Sequence, residues 1–241
     1  MSVAVSGTRR ISNEALYREL RRRIIHLELP PHARLTEQSI AAEFELSRTP
    51  VRRVFDRLAN DGLVTISAGS GASVSAVDFQ ALREVWALRV KIVELIGDFV
   101  LLPAPAEVQE RLRDCLDEAR AVGSITALAH LYDEFHDTML DLLTNGPLRK
   151  IYDQLYAQTA RAFVQMLPSL DFETELDAVR DEIARTIEAC THRSGRQLAA
   201  VRGEHMHHFV ARISKALVIA PPAGIASGNA GGNAGGMEGG H

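Results

Sequence analysis

Four arginines and a group of histidines have types and spacings in this 241-residue chain that could do chemistry. Arg48, Arg52, Arg53 and Arg57 sit in a run whose apolar positions, Val51, Val54, Phe55 and Leu58, recur as on a helix with one buried face. Arg48 and Arg52 are one helical turn apart and share a different face, close to the helix start. A guanidinium is flat and always charged, so it pairs bidentately with phosphate or with the O6/N7 edge of guanine. A helix N-terminus adds free backbone N–H groups that suit a phosphate. Taken alone, such an arginine pair is an ordinary solvated basic face, and the parts around it decide. The second group is drawn from nine histidines: His205, His207 and His208 stand together in EHMHH, and His136 stands apart. Imidazoles in such numbers can ligate a transition metal or serve as hydrogen-bonding groups of a core or pocket.

The elements that must position the arginines can be read on either side of them. Ser12-Asn13 caps a first helix with Leu16, Leu20, Ile24 and Leu27 inward, and Pro30-Pro31 ends it. Thr36 caps a second helix over residues 37–44, Glu45-Leu46 forms a turn, and Ser47 caps the third, with Pro50 tolerated in its first turn. Asn60-Asp61-Gly62 stops that helix. Val64–Ser67 and Ala72–Ser75 then flank a glycine-containing hairpin tip. Three helices followed by a hairpin is the order of a winged helix-turn-helix, and the arginine helix takes the place that enters a major groove.

On these residues the segment resembles the GntR family of bacterial regulators. The matching positions are Arg34-Leu35, Ile40-Ala41, the run from Leu46 through Arg52, Leu58, Asp61 through Val64, and Gly71. The resemblance implies a DNA-binding set of Arg34, Gln38, Ser47, Arg48, Thr49, Arg52, Arg53 and Gly69. The chain departs from the family in two places. Glu45 stands where the family usually has Gly, so it must take a backbone conformation that Gly adopts more easily. Gln38 stands where the family often has Arg, which suits adenine better than guanine.

Charge divides along the chain. The net charge is −4, yet residues 9–57 hold eleven arginines against seven acids, which makes a basic head on an acidic body. The two cysteines, Cys115 and Cys190, give no disulfide framework, and a reducing cytoplasm fits. The first residues lack the apolar core of a signal peptide. No apolar run is long enough to span a membrane. There is no GxSxG, P-loop, GxGxxG or HExxH motif, so an enzyme is not expected; the glycines at 69–71 form a hairpin tip rather than a phosphate cradle.

Beyond Val77-Asp78 the helical period repeats between breakers, over about 78–101, 106–121, from 124, 148–166, 173–190 and 194–218. Six such helices make an antiparallel bundle. The expected fold is therefore mainly α: a flexible arm (1–11), a winged helix-turn-helix (12–76), an all-α ligand-binding and dimerisation domain (78–218) and a disordered glycine-rich tail (219–241). Arg89, the Phe135-His136 pair and the late histidines make the bundle resemble the FCD-type ligand domain of the FadR-like branch of GntR regulators. That resemblance implies a divalent metal (Zn, Ni or Mn) held by an Asp or Asn, the histidine four residues later, and two further histidines. Carried over position by position, His136 and His207 match, with His205 the other register. Tyr132 stands in place of the carboxylate, beside Asp133, and Arg180 in place of a histidine. Arginine cannot ligate a metal, so the substitutions point instead to an anion site made by Arg89, Tyr132, His136, Arg180 and His207. The expected protein is a homodimeric repressor of a palindromic operator, released by a small carboxylate effector. The alternative is a histidine-metal enzyme or metal sensor built on the helical domain.

Overall fold

The computed structural model describes residues 11–67 and 71–219. The expected hairpin-tip contact Gly69 lies outside them, as do the arm apart from Ile11 and the tail apart from Ile219. Helices α1 (Asn13–Ile25), α2 (Glu37–Glu43) and α3 (Arg48–Asn60) pack with a small antiparallel sheet. Its strands are β1 (Arg34–Leu35), β2 (Val64–Ser67) and β3 (Gly71–Val74), in the order β1-β3-β2. Ser12 and Thr36 cap α1 and α2 through their side chains, whereas Ser47, at the start of α3, makes no side-chain cap bond. Its hydroxyl is thereby left exposed. Glu45 makes the turn between α2 and α3 at φ +54°, the left-handed conformation that the missing glycine would have eased. β1 had no sequence signal because it is only two residues long, paired through Arg34↔Ser73 and Leu35↔Ala72. Gly71 is required there: a Cβ on it would stand 2.2 Å from the Leu35 carbonyl oxygen.

The second unit is helical: α4 (Phe79–Ile96), α5 (Ala106–Ala121), α6 (Ile125–Leu142), α7 (Gly146–Met166), α8 (Phe172–Thr191) and α9 (Gly195–Ile219), with a single 3-10 turn at Leu167–Ser169. Side-chain caps at Asp78, Ser124, Asn145 and Asp171 start four of these helices. Leu128, Leu131, Phe135, Leu142, Val179, Ile183 and Ile213 lie in their common core. α4 crosses the start of α9 at Gly97 and Gly195, where a Cβ on Gly195 would lie 2.1 Å from the Gly97 carbonyl oxygen. None of the described helices is long and apolar enough to cross a membrane.

One helix belongs to both cores. Tyr156, Ala157 and Ala160 of α7 are buried in the hydrophobic cluster of the winged head. Along the same helix, Gln154 donates to the Asn60 carbonyl at 2.8 Å and Gln158 to the Asp61 carbonyl at 3.2 Å, at the C-terminus of α3. Arg161 donates to the carbonyls of Ser75 at 2.9 Å and Ala76 at 3.2 Å, where the head leads into α4.

Candidate functional site

The arginines of the head fall into two sets. Arg18, Arg21, Arg22, Arg23 and Arg57 each pair with a carboxylate. Arg34, Arg48, Arg52 and Arg53 are exposed and form no ion pair among the described residues. Arg48 and Arg52 border a groove of about 460 Å3 with Gln38, Ser67 and Gly71. Thr49 is exposed at the same helix start. Of the expected contacts, Gln38, Arg48 and Arg52 share this groove, while Arg34, Ser47, Thr49 and Arg53 are exposed but do not line it. Arg57 does not belong with them: it is held by Glu14 at 2.5 Å and lies 3.4 Å over the Tyr17 ring.

A small cavity of about 40 Å3 lies inside the helical unit. α4 supplies Arg89, α6 Tyr132 and His136, α7 Tyr156 and Thr159, α8 Glu182, and α9 Arg202 and His205. Arg89 is buried, and its guanidinium donates to the Thr159 hydroxyl and lies 5.5 Å over the Tyr156 ring, with no carboxylate partner among the described residues. Burial lowers its pKa. Arg202 bonds Glu182, and also donates to the Tyr152 hydroxyl at 2.6 Å. Burial raises the Glu182 carboxyl to about 7, against the pull of Arg202. His136 stacks on Tyr156 with ring centroids 3.6 Å apart, and its Nε2 lies 3.2 Å from Asp153. Burial pushes its pKa down to about 4, so the ring is neutral. His205 is likewise driven well below the ordinary range by burial.

Arg89, Tyr132 and His136, three of the five expected effector contacts, meet in this cavity; Arg180 and His207 do not. Arg180 donates to the Ala119 carbonyl of α5 at 2.9 Å and to Asp177 at 3.2 Å. It sits two residues before Glu182, about 200° around the helix, so the two cannot share a face. His207 is exposed and turns back to the Gly203 carbonyl at 2.7 Å. The inward stripe of α9 is Arg202, His205, Met206, Phe209 and Ile213, which puts His205 rather than His207 on the cavity side. The expected metal pair of His136 and His207 therefore does not form. Among the described residues no group of three or more His, Cys, Asp or Glu side chains is arranged to hold a metal. The donor set around the cavity also fits a cation poorly: Arg202 engages Glu182, and two guanidiniums face the same space. Glu182, Arg202 and Thr159 escaped the sequence reading because charged and hydroxyl residues within a helix are ordinarily solvated. Their one signal is that Glu182 and Arg202 fall in phase with apolar neighbours such as Val179, Ile183 and Phe209.

A wider cleft of about 740 Å3 separates α1 from α6 and α7. Its arginines are already committed: Arg21 to Asp153 at 2.5 Å, Arg111 to Glu134 at 2.8 Å and Arg149 to Asp141 at 2.7 Å. Asp133, which lines the cleft, lies 2.6 Å from His26 Nε2 and accepts from Tyr156 at 2.6 Å.

Residues 12–74 match the family described as bacterial regulatory proteins, gntR family, and residues 84–208, just over half of the chain, match the FCD domain. The chain belongs to the GntR family, with an FCD domain behind its winged head. This GntR-family chain is 34% identical over 140 residues to an HTH-type transcriptional regulator in an unstable DNA locus of Streptomyces ambofaciens, covering 57% of the chain and 58% of that relative. It is 37% identical over 71 residues to the HTH-type transcriptional repressor RspR of Escherichia coli, covering 30% of the chain and 31% of RspR. The matched stretches thus span a little over half, or less, of these relatives' own lengths. The relatives are named as regulators, not enzymes. In fold the chain is similar to the solved structure of McbR/YncC from E. coli, with a TM-score of 0.66 at 18% identity, covering 85% of this chain and 98% of that one.

Proposed function

We propose that this GntR-family chain is a ligand-responsive transcriptional repressor that acts in the cytoplasm, reads an inverted-repeat operator as a homodimer, and releases it when a small organic acid enters the helical unit. The division among the head's arginines carries this reading. Five are tied to carboxylates, while those on α3's exposed face and at Arg34 have no ion-pair partner among the described residues. Unpaired guanidiniums at a helix start suit phosphate and guanine edges, and a two-fold pair of recognition helices matches a palindrome. The repressor sign is supported by the name of RspR. The homodimer is supported by α4, which exposes Leu88 and Leu95 two turns apart on one side, and by the turn after it, which exposes Phe99 and Leu101. Arg89 supports the effector's charge: a buried guanidinium without a carboxylate is costly until an anion pairs with it.

Selection of duplexes from a random library with the full chain supplies an operator, and fluorescence anisotropy then measures affinity. Arg48→Ala and Arg52→Ala should each weaken binding about 10- to 100-fold, the equivalent of a lost base contact. Arg18→Ala, already paired with Glu14, is the control and should bind as the wild type does. Unchanged affinity in both α3 variants, with the fold intact, sinks the recognition-helix assignment.

A further inference from the structure

Resting on the reading of the cavity as an effector site, we propose that the effector is a short hydroxy acid, about two or three carbons long, whose hydroxyl donates a hydrogen bond beside its carboxylate. The argument comes from the polar atoms that the fold buries without a partner. Among the described residues these include Arg89 Nε, Arg202 Nε, Tyr132 Oη, His136 Nδ1 and Glu182 Oε2, all on residues that line this one cavity. Native folds seldom leave such atoms unpaired, so five around one small space call for an occupant with matching groups.

Their roles divide cleanly. The two arginine Nε–H groups can only donate, and so call for an acceptor. His136 is the opposite. Its Nε2 faces Asp153, which also accepts from Arg21 at 2.5 Å and is therefore a carboxylate with nothing to donate. Nε2 must carry the ring proton, and in a neutral imidazole Nδ1 is then a bare lone pair. Glu182 Oε1 is bound by Arg202; Oε2 has His205 Nδ1 3.1 Å away but no aligned donor, and is a second acceptor. Tyr132 can serve either side. A carboxylate alone satisfies the guanidiniums and leaves the lone pairs of His136 and Glu182 bare; a neutral polyol does the reverse.

Net charge separates a hydroxyl from an ammonium. With both histidines neutral and Glu182 ionised, as at the pH 8 of the test below, Arg89 and Arg202 against Glu182 leave the cavity with an excess of one positive charge. A hydroxy acid cancels it, whereas a zwitterionic amino acid does not. Size sets the chain length, since a cavity of about 40 Å3 holds a few water-sized groups.

The test uses the full chain at pH 8, with binding followed by calorimetry and by thermal shift. The probes are 2-hydroxypropionate (each enantiomer), propionate, alanine, 1,2-propanediol and Zn2+ alone. One enantiomer of 2-hydroxypropionate should bind about 10- to 100-fold more tightly than propionate, the worth of one buried hydrogen bond to a strong acceptor. Tyr132→Phe and His136→Asn should shrink that ratio toward one, the loss falling on 2-hydroxypropionate more than on propionate. Arg89→Met should abolish binding of both acids. Propionate binding as well as 2-hydroxypropionate, with both lost in Arg89→Met, overturns the hydroxyl and leaves an anionic effector standing. Alanine or the diol binding best, or none of the acids binding, overturns the proposal; acid binding that survives in Arg89→Met ends the effector reading of the cavity as well. Stabilisation by Zn2+ alone that is lost in His136→Asn would make the lone pair a metal ligand, and also overturns it.

Discussion

Arg161 ties the helical unit to the head, and its replacement by Met measures how firmly. The substitution keeps most of the aliphatic stem and removes every donor. Nη1 and Nη2 reach Ser75 and Ala76 at 2.9 and 3.2 Å. Each hydrogen bond from a charged donor contributes about 1.5–3 kcal/mol, so the pair is worth roughly 3–6 kcal/mol. Against this stands desolvation: among the described residues no carboxylate accompanies the guanidinium, and burial pushes its pKa down to about 10 from an ordinary 12.5. At 1.36 kcal/mol per pKa unit that is a cost of about 3 kcal/mol. The surplus is about 0–3 kcal/mol, and stranding the carbonyls adds about 1 kcal/mol. Arg161→Met should therefore lower the stability of the head–bundle junction by about 2 kcal/mol, with Arg161→Lys between it and the wild type. Hydrogen exchange on the full chain is the assay: protection should fall at residues 63 and 72–76 and persist in the core of α6 and α8. Unchanged exchange at those head residues, or an equal loss throughout the bundle, would refute the idea of a local tie.

Gly195→Ala should destabilise the chain by about 1–3 kcal/mol, because its Cβ meets the Gly97 carbonyl at 2.1 Å and α9 must move off α4; thermal melting checks it, and an unchanged melting temperature contradicts the crossing. Glu182 is held near 7 by burial, above its ordinary 4.5, so its contribution to stability is present below about pH 4.5 and is lost as pH rises through about 7. The stability of the wild type relative to Glu182→Gln should accordingly fall between pH 5 and 8 in urea titrations, and a flat difference counts against it. Leu88→Glu with Leu95→Glu places charge on the outward face of α4, and sedimentation should show a dimer for the wild type and monomer for the variant; a dimer in both moves the interface elsewhere.

The helices of the bundle were legible because prolines, glycines and capping side chains bound them. Pro105 and Gly123 bracket α5, read as 106–121 and found at Ala106–Ala121. Asn145-Gly146-Pro147 likewise marks the start of α7, whose Asn145 caps the Leu148 amide. Glu45 was legible as a strained turn because a helix-turn-helix leaves little choice of backbone there, and φ +54° is the result. The cavity was harder to read. In EHMHH three histidines crowd one helical turn, so adjacency alone cannot say which points inward; phase with Arg202, Met206 and Phe209 can, and it selects His205. Arg180 was assigned by its place in an expected ligand order, and its bond to the Ala119 carbonyl turns it toward α5. Arg161 was missed because a sequence shows a charge on a helix but not the backbone carbonyls that will surround it.

The buried charges of the bundle make little sense as contributions to stability. Arg89 without a carboxylate, Glu182 raised to about 7 and His136 lowered to about 4 each oppose folding relative to an apolar side chain of similar size. Their placement does make sense beside α7. His136 and Tyr156 form part of the cavity wall, stacked face to face. Each also reaches the head through one carboxylate: His136 to Asp153 and so to Arg21, Tyr156 to Asp133 and so to His26. A ligand changes an equilibrium only by the difference in its affinity for the two states. Under the proposed reading that difference has a place to arise, since an anion beside Arg89 competes for the same rings whose outer atoms hold α1. The two carboxylates are then the residues to substitute when asking how occupancy is passed on. Asp133→Asn leaves the cavity's own acceptors and donors in place and should preserve effector affinity while weakening its effect on DNA affinity; Asp153→Asn adds a donor beside His136 Nε2, so its effect on DNA is read at saturating effector. Full effector response in the double variant would mean that coupling runs instead through Gln154, Gln158 and Arg161, which grip the end of α3 and the strand that leads into α4.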